Sequence, residues 1–123
     1  MAIDHVTLLS VPVGDQDVAK AFYVDVLGLE LVRDDPMGPE MRWVQVRPRG
    51  AATSLALVTW FDSMPPGSLR GLVLEVPDLE GTLAELASAG LEVDGSIEEA
   101  PWGRFVTIED PDGNGIILQA TSA

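Results

Sequence analysis

The 123-residue chain has no cysteine, one histidine (His5), one lysine (Lys20) and one tyrosine (Tyr23). Without cysteine there is no disulfide, no thiolate ligand and no thiol nucleophile. A lone histidine gives a metal at most one imidazole, and the serines and threonines have no second histidine or nearby lysine to activate them. Positive charge is scarce as well. Seven Lys and Arg stand against twenty Asp and Glu, for a formal charge of −13. Such a field repels nucleic acid and anionic membrane surfaces and draws in cations, although solubility alone would also account for it. No apolar run approaches the roughly eighteen residues of a membrane-spanning helix. No basic stretch precedes an apolar one at Met1-Ala2-Ile3-Asp4-His5, so no signal peptide is expected and the cytoplasm is the default location.

What is present is a folded globule's composition, 46% hydrophobic and 22% charged, at a length suited to one domain. The chain also repeats itself. Arg42-Trp43-Val44-Gln45-Val46 is matched by Arg104-Phe105-Val106-Thr107-Ile108, and Gly28-Leu29-Glu30-Leu31 by Gly90-Leu91-Glu92-Val93. Gly28 to Arg42 is fourteen positions, as is Gly90 to Arg104. Two landmarks at one spacing indicate duplication of a supersecondary unit.

Each copy reads as βαβββ, giving an α+β domain of tandem modules. The expectation is a curved, partly open eight-stranded sheet with helices on its outer face. Module one covers about 1–61, a linker 62–68 and module two about 69–123. In the first copy Val6–Val13 is rich in β-branched residues and predicts a strand. Asp15 or Asp17 caps a helix whose core stripe is Val18, Ala19, Phe22, Tyr23 and Val26, and Gly28 ends it. Strands follow near Glu30–Arg33, Met41–Arg47 and Ser54–Trp60, with Asp34–Pro39 as a loop. In the second copy Leu72–Val76 is a strand, and Pro77-Asp78 opens a helix with Leu79, Leu83, Leu86 and Ala87 on one face. Further strands are expected near Glu92–Asp94, Arg104–Ile108 and Ile116–Ala120. Asp110-Pro111-Asp112-Gly113-Asn114-Gly115 is a tight turn. Helices cover one face of each sheet; the other must meet its counterpart, a partner chain or a ligand.

Lys20-Ala21-Phe22-Tyr23 with Leu27-Gly28-Leu29-Glu30-Leu31 resembles the first helix of the vicinal oxygen chelate superfamily. Asp110-Pro111-Asp112-Gly113-Asn114 with Ile116-Ile117-Leu118 resembles its closing hairpin. That superfamily includes glyoxalase I, extradiol dioxygenases, fosfomycin resistance enzymes and bleomycin-type resistance proteins, and the resemblance spans nearly the whole chain. It specifies a fold far better than a function. Its enzymes hold a divalent metal with His, Gln and Glu from four strands. By the spacing the resemblance implies, those places fall here on Leu8, Leu57, Gly71 and Ile117, none of which donates to a metal. Asp4-His5-Val6 looks like the opening ligand motif, but His5 lies three residues before Leu8. An odd offset puts it on the opposite face unless a bulge intervenes. Gln45, Glu75 and Gln119 carry oxygen atoms but sit off those places. No metal and no cofactor is therefore expected.

Strand alternation from these places predicts the lining of the open face: Leu8 and Ser10; Trp43, Gln45, Phe105 and Thr107; Leu55, Leu57 and Thr59; Gly71, Val73 and Glu75; Ile117 and Gln119. Trp60 and Trp102 fall at its rim. A mainly apolar and aromatic surface with a few amides and hydroxyls suits binding, and indoles stack on flat or cationic guests. The acidic pairs Asp34-Asp35 and Glu98-Glu99 sit in polar loops as solvated charge. The resemblance, at its bleomycin-type end, implies a homodimer that sequesters a hydrophobic or planar compound, cationic ones included, such as an antibiotic. Two other readings stand beside it. One is an enzyme acting on a small carbonyl or aromatic substrate with an absent or displaced metal and Glu75 or His5 as base. The other is a non-catalytic subunit whose open sheet is filled by another chain.

Overall fold

The computed structural model describes residues 2–93 and 97–122. Within them the elements run β1 (Leu8–Pro12), α1 (Gln16–Ala21, prolonged by a π-helical turn over Phe22–Val26), β2 (Glu30–Pro36), β3 (Arg42–Arg47), β4 (Ser54–Val58), β5 (Leu72–Glu75), α2 (Leu79–Ser88), β6 (Glu98–Ala100), β7 (Gly103–Glu109) and β8 (Gly115–Thr121). The strands form two open four-stranded sheets, ordered β1-β4-β3-β2 and β5-β8-β7-β6. The second order repeats the first. In each sheet the opening strand runs parallel to the last one and the remaining pairs are antiparallel. This is the βαβββ duplication of an α+β fold.

Both helices begin as their sequences predict. The Asp15 carboxylate accepts the N–H groups of Asp17 and Val18 at 2.9 and 3.1 Å, and Asp78 accepts that of Gly81 at 3.1 Å. After Ala21 the first helix widens, so that the Leu27 N–H donates to the Phe22 carbonyl five residues back. Gly28, at φ 74°, then turns the chain into β2. The core stripe is centred on Ala19 and Tyr23; Val18 lies at its edge and is 49% exposed, not part of the core.

Several boundaries differ from expectation. β1 starts at Leu8, because Val6 precedes the pairing of Leu8 with Ser54. β2 runs on through Asp34–Pro36, which pair with Val44, Trp43 and Arg42. The Asp34 carboxylate is clamped there by Lys20 and by two nitrogens of Arg42, each at 2.8 Å. β4 stops at Val58. No strand forms at Glu92 or Val93, and Asp94 lies outside the described residues. The edge partner of β7 is instead β6, whose Glu98 and Glu99 pair with Phe105 and Arg104.

One apolar cluster joins the helix-facing rows of both sheets. Val11, Val44, Val46 and Leu57 meet Ala19, Phe22 and Tyr23, and continue into Leu79, Leu86, Val106, Ile108, Ile116 and Leu118. Burial of each such aliphatic side chain contributes about 1.5–3 kcal/mol. A buried polar knot ties the copies together beside it. The Asp110 carboxylate accepts the Tyr23 hydroxyl and the Asn114 side-chain amide, both at 2.8 Å, and the N–H groups of Asp112 and Asn114. The Asn114 amide also donates to the Pro12 carbonyl at 2.8 Å and accepts the Leu69 N–H at 3.0 Å. The Asp-Pro-Asp-Gly-Asn motif thus fastens the last hairpin to β1 and α1 by satisfying every polar atom it buries. Burial, reinforced by the Asp110 charge, pushes the Tyr23 phenol far above its ordinary range, so it remains a donor.

Candidate functional site: the two open sheet faces

Register decides which side chains reach each face. In the first sheet Val44 and Val46 pair with Leu57 and Leu55, and Gln45 pairs with Ala56. Directly paired residues share a face, so Leu55 and Leu57 belong with the buried valines on the helix side. This corrects the expectation that they line the open face. The β4 residues that do so are Ser54, Ala56 and Val58, small side chains buried between larger neighbours. Parallel pairing of Ser10 with Ala56 and of Leu8 with Ser54 puts Ser10 and Leu8 on that open face beside Gln45. Thr59 lies beyond the end of β4 and is exposed.

Trp43 stands on this first open face and is held on two sides. Its indole nitrogen donates to Gln45 Oε1 at 2.9 Å. Its ring stacks on Trp60, with centroids 6.1 Å apart and planes 25° apart, and Trp60 in turn meets Phe61 at 6.3 Å. Along β3, Arg47 pairs with Glu30 at 2.9 Å, which largely cancels its charge.

In the second sheet Thr107 pairs with Ile117, Phe105 with Gln119, Val73 with Ile117 and Glu75 with Gln119. All six lie on one face, opposite Val106, Ile108, Ile116 and Leu118. Trp102 precedes β7 and stacks on Phe105, centroids 6.5 Å apart and planes 14° apart. It is 56% exposed, and Val73 is 47% exposed, so the first sheet does not cover this face. Gly71, by contrast, stands before β5 at φ 82° and ends a loop; it presents nothing to the face.

Glu75 ends a polar chain that sequence reasoning missed, because Thr121 lies past the predicted strand. Gln119 Nε2 donates to the Thr121 hydroxyl at 3.2 Å, and Thr121 donates to Glu75 from its hydroxyl at 2.6 Å and its N–H at 2.7 Å. These bonds lower the Glu75 pKa, the backbone N–H first and the hydroxyl next. The base role that the enzymatic reading gives Glu75 calls for a raised pKa, whereas Glu75 is exposed and its charged form is the one stabilised. His5 lies ahead of β1, exposed, with its Nδ1 2.6 Å from the Asp4 carboxylate.

The donor chemistry does not fit a divalent metal. Of the places that the resemblance implies, Leu8 and Ile117 lie on open faces as hydrocarbon, Leu57 points into the core, and Gly71 has no side chain. Ala56, which replaces Leu57 on the open face, has no donor atom either. Among the described residues, no group of three or more His, Cys, Asp or Glu side chains is placed to hold a metal ion. What the faces do offer is two aromatic pairs on an apolar ground with amide, hydroxyl and carboxylate groups between them.

Residues 2–118 match the model of the Glyoxalase/Bleomycin resistance protein/Dioxygenase superfamily. The uncharacterized protein YetH of Bacillus subtilis is 36% identical over 120 residues, 95% of this chain and 98% of that protein. Among solved structures, TnmS3, an antibiotic binding protein from Streptomyces sp. CB03234, superposes with a TM-score of 0.92 at 53% identity over 99% of both chains. A glyoxalase/bleomycin resistance protein from the same source gives a TM-score of 0.83 at 51% identity, covering 94% of this chain and 99% of that one. With the family match running over nearly its whole length, the chain belongs to the glyoxalase/bleomycin resistance protein/dioxygenase superfamily.

Proposed function

We propose that this protein binds and sequesters a planar or hydrophobic small molecule, such as an antibiotic, on its open sheet faces, without a metal and without breaking a bond. The observation that carries this reading is the pairing of Trp43 with Trp60 on one open face and of Trp102 with Phe105 on the other, where no group of three or more His, Cys, Asp or Glu gathers among the described residues. Trp43 and Phe105 also occupy equivalent positions of the duplication. Aromatic stacking contributes about 0.5–1.5 kcal/mol per pair beyond the area it buries. The likeness to a protein described as antibiotic binding supports the same reading.

The reading includes a homodimer. The helix sides of both sheets feed one core, and the second open face is left exposed within the chain. A cup formed by the first face of one protomer and the second face of its partner would place Trp43 and Phe105 on its two walls. Each protomer is then one domain of two modules, about 1–61 and 69–123, with 62–68 as the linker. The ligand-contacting set is Leu8, Ser10, Trp43, Gln45 and Trp60 with Val73, Glu75, Trp102, Phe105, Thr107, Ile117 and Gln119, and a cytoplasmic location completes the reading. The catalytic alternative has less support, because Glu75 is held ionised on an exposed edge and His5 stands outside the sheets.

Titration with planar tricyclic probes tests this. Proflavine (cationic) and fluorenone (neutral) are expected to quench the tryptophan emission saturably, at one site per protomer, and to be recovered chemically unchanged. Absence of saturable quenching by any planar compound would count against the reading, and so would turnover of the probe.

A further inference from the structure

Around the free edge of β5, reaching from the helix side of the sheets to Val73 and Glu75, lies a crevice of about 400 Å3. Leu55 of β4, Leu72 and Leu74 of β5, Leu86 of α2 and Leu118 of β8 bound it, with Leu27 and Leu29 from the turn that follows the first helix. It opens where the shared core fails to close. Leu27, Leu29, Leu72 and Leu74 remain only half-buried there, beside Leu55, Leu86 and Leu118, which are buried. The size falls within the roughly 300–1,000 Å3 of small-molecule sites. Leucine surface left to water at this scale is unfavourable, and a guest that covers it recovers the apolar burial.

The polar groups of the lining narrow the class of guest. The Thr53 hydroxyl already donates to the Val6 carbonyl, and the Thr82 hydroxyl to the Asp78 carbonyl, each at 2.8 Å. Neither has a proton left to offer an anion. Glu75, the one ionisable residue of the lining, is turned to Thr121 and held in its charged form. A carboxylate guest would meet that charge and a chain of net −13, with no cation in the lining to receive it.

We propose that this crevice is a second binding site, for a neutral aliphatic or alicyclic molecule, independent of the aromatic pairs. It does not rest on the function proposed above: it shares Val73 and Glu75 with the second open face, but its walls are chiefly helix-side leucines, and neither aromatic pair lines it.

The probe is 1-octanol, with octanoate as its charged counterpart and proflavine as the reporter of the aromatic faces. Octanol is expected to raise the melting temperature saturably, and octanoate to bind at least about tenfold more weakly. Ala51→Phe and Thr82→Phe each fill the crevice from a half-buried wall position on a different element. Each is expected to weaken octanol at least about tenfold and to leave proflavine quenching unchanged; if one variant fails to fold, the other decides. Saturable octanol binding that is equal in wild type and variants would overturn the proposal. So would octanol that displaces proflavine, or no saturable octanol binding at all.

Discussion

Trp43 is tied to Gln45, two residues along the same strand, by an indole-to-amide hydrogen bond of 2.9 Å. Because β3 alternates, both side chains rise from one face while Val44 between them is buried. The bond fixes the ring edge, and Trp60 backs its face. A preorganised aromatic plane loses less freedom on binding than a mobile one. Gln45→Ala is therefore expected to weaken planar probes several-fold without lowering stability, and Trp43→Ala to weaken them by about tenfold or more. Proflavine's own fluorescence serves as the readout, since Trp43→Ala removes a protein fluorophore.

Tyr23→Phe tests the polar knot. Removing the hydroxyl leaves the Asp110 carboxylate buried with one donor fewer. A loss of about 1–3 kcal/mol in urea unfolding is expected. Probe affinity should not change, because the knot lies on the helix side. Asn114→Ala removes contacts to Asp110, Pro12 and Leu69 together, and should cost more than Tyr23→Phe.

Asp34 sets a pH dependence. Hydrogen bonds from Arg42 and then Lys20 hold its carboxyl well below the usual carboxylate range. Its folded-state pKa is thus depressed. The stabilisation is fully present above the unfolded value of about 4, and is lost as pH falls toward the depressed one. Asp34→Asn is expected to be less stable than wild type at pH 7, and the gap should narrow on acidification below about pH 4. Unfolding midpoints of both proteins across that range give the comparison.

Much of the architecture was readable from particular residues. The equal spacing of Gly28 to Arg42 and of Gly90 to Arg104 announced the two sheets of one topology, and Asp15 and Asp78 marked the helix starts. The face of β4 was not readable. Ser54-Leu55-Ala56-Leu57-Val58 is apolar at nearly every position, so alternation gives no sign of which side is in, and only pairing with β3 settles it. The place of Leu57 was inferred from a spacing and came out one residue off its face, a shift that moves a side chain to the other side of a sheet. β6 was missed because Glu98-Glu99-Ala100 has no strand composition; its backbone pairing to β7 makes the strand. Trp43, Gln45, Phe105 and Gln119 lie on strands whose alternation is clean, and their shared faces followed from it.

The proposed binding makes no use of a metal. Extended dialysis against EDTA is expected to leave proflavine affinity within about twofold, and added Zn2+, Mn2+ or Ni2+ should not restore or raise it. A stoichiometric rise in affinity with any of these ions would require a donor set that Leu8, Ala56, Val73 and Ile117 do not supply.

The proposed dimer is checked by solution mass: two chains at micromolar concentration are expected. Trp43→Ala should leave the mass unchanged if the ring serves the guest, and should shift it toward one chain if the ring serves only the interface.

A crystal structure with a planar guest reaches the centre of the account. The guest is expected to be chemically intact, with its ring system against Trp43 of one protomer and Phe105 of the other, and with no ion bridging it to the protein. A guest found transformed, or gripped through a fully coordinated divalent ion on the open face, would contradict it.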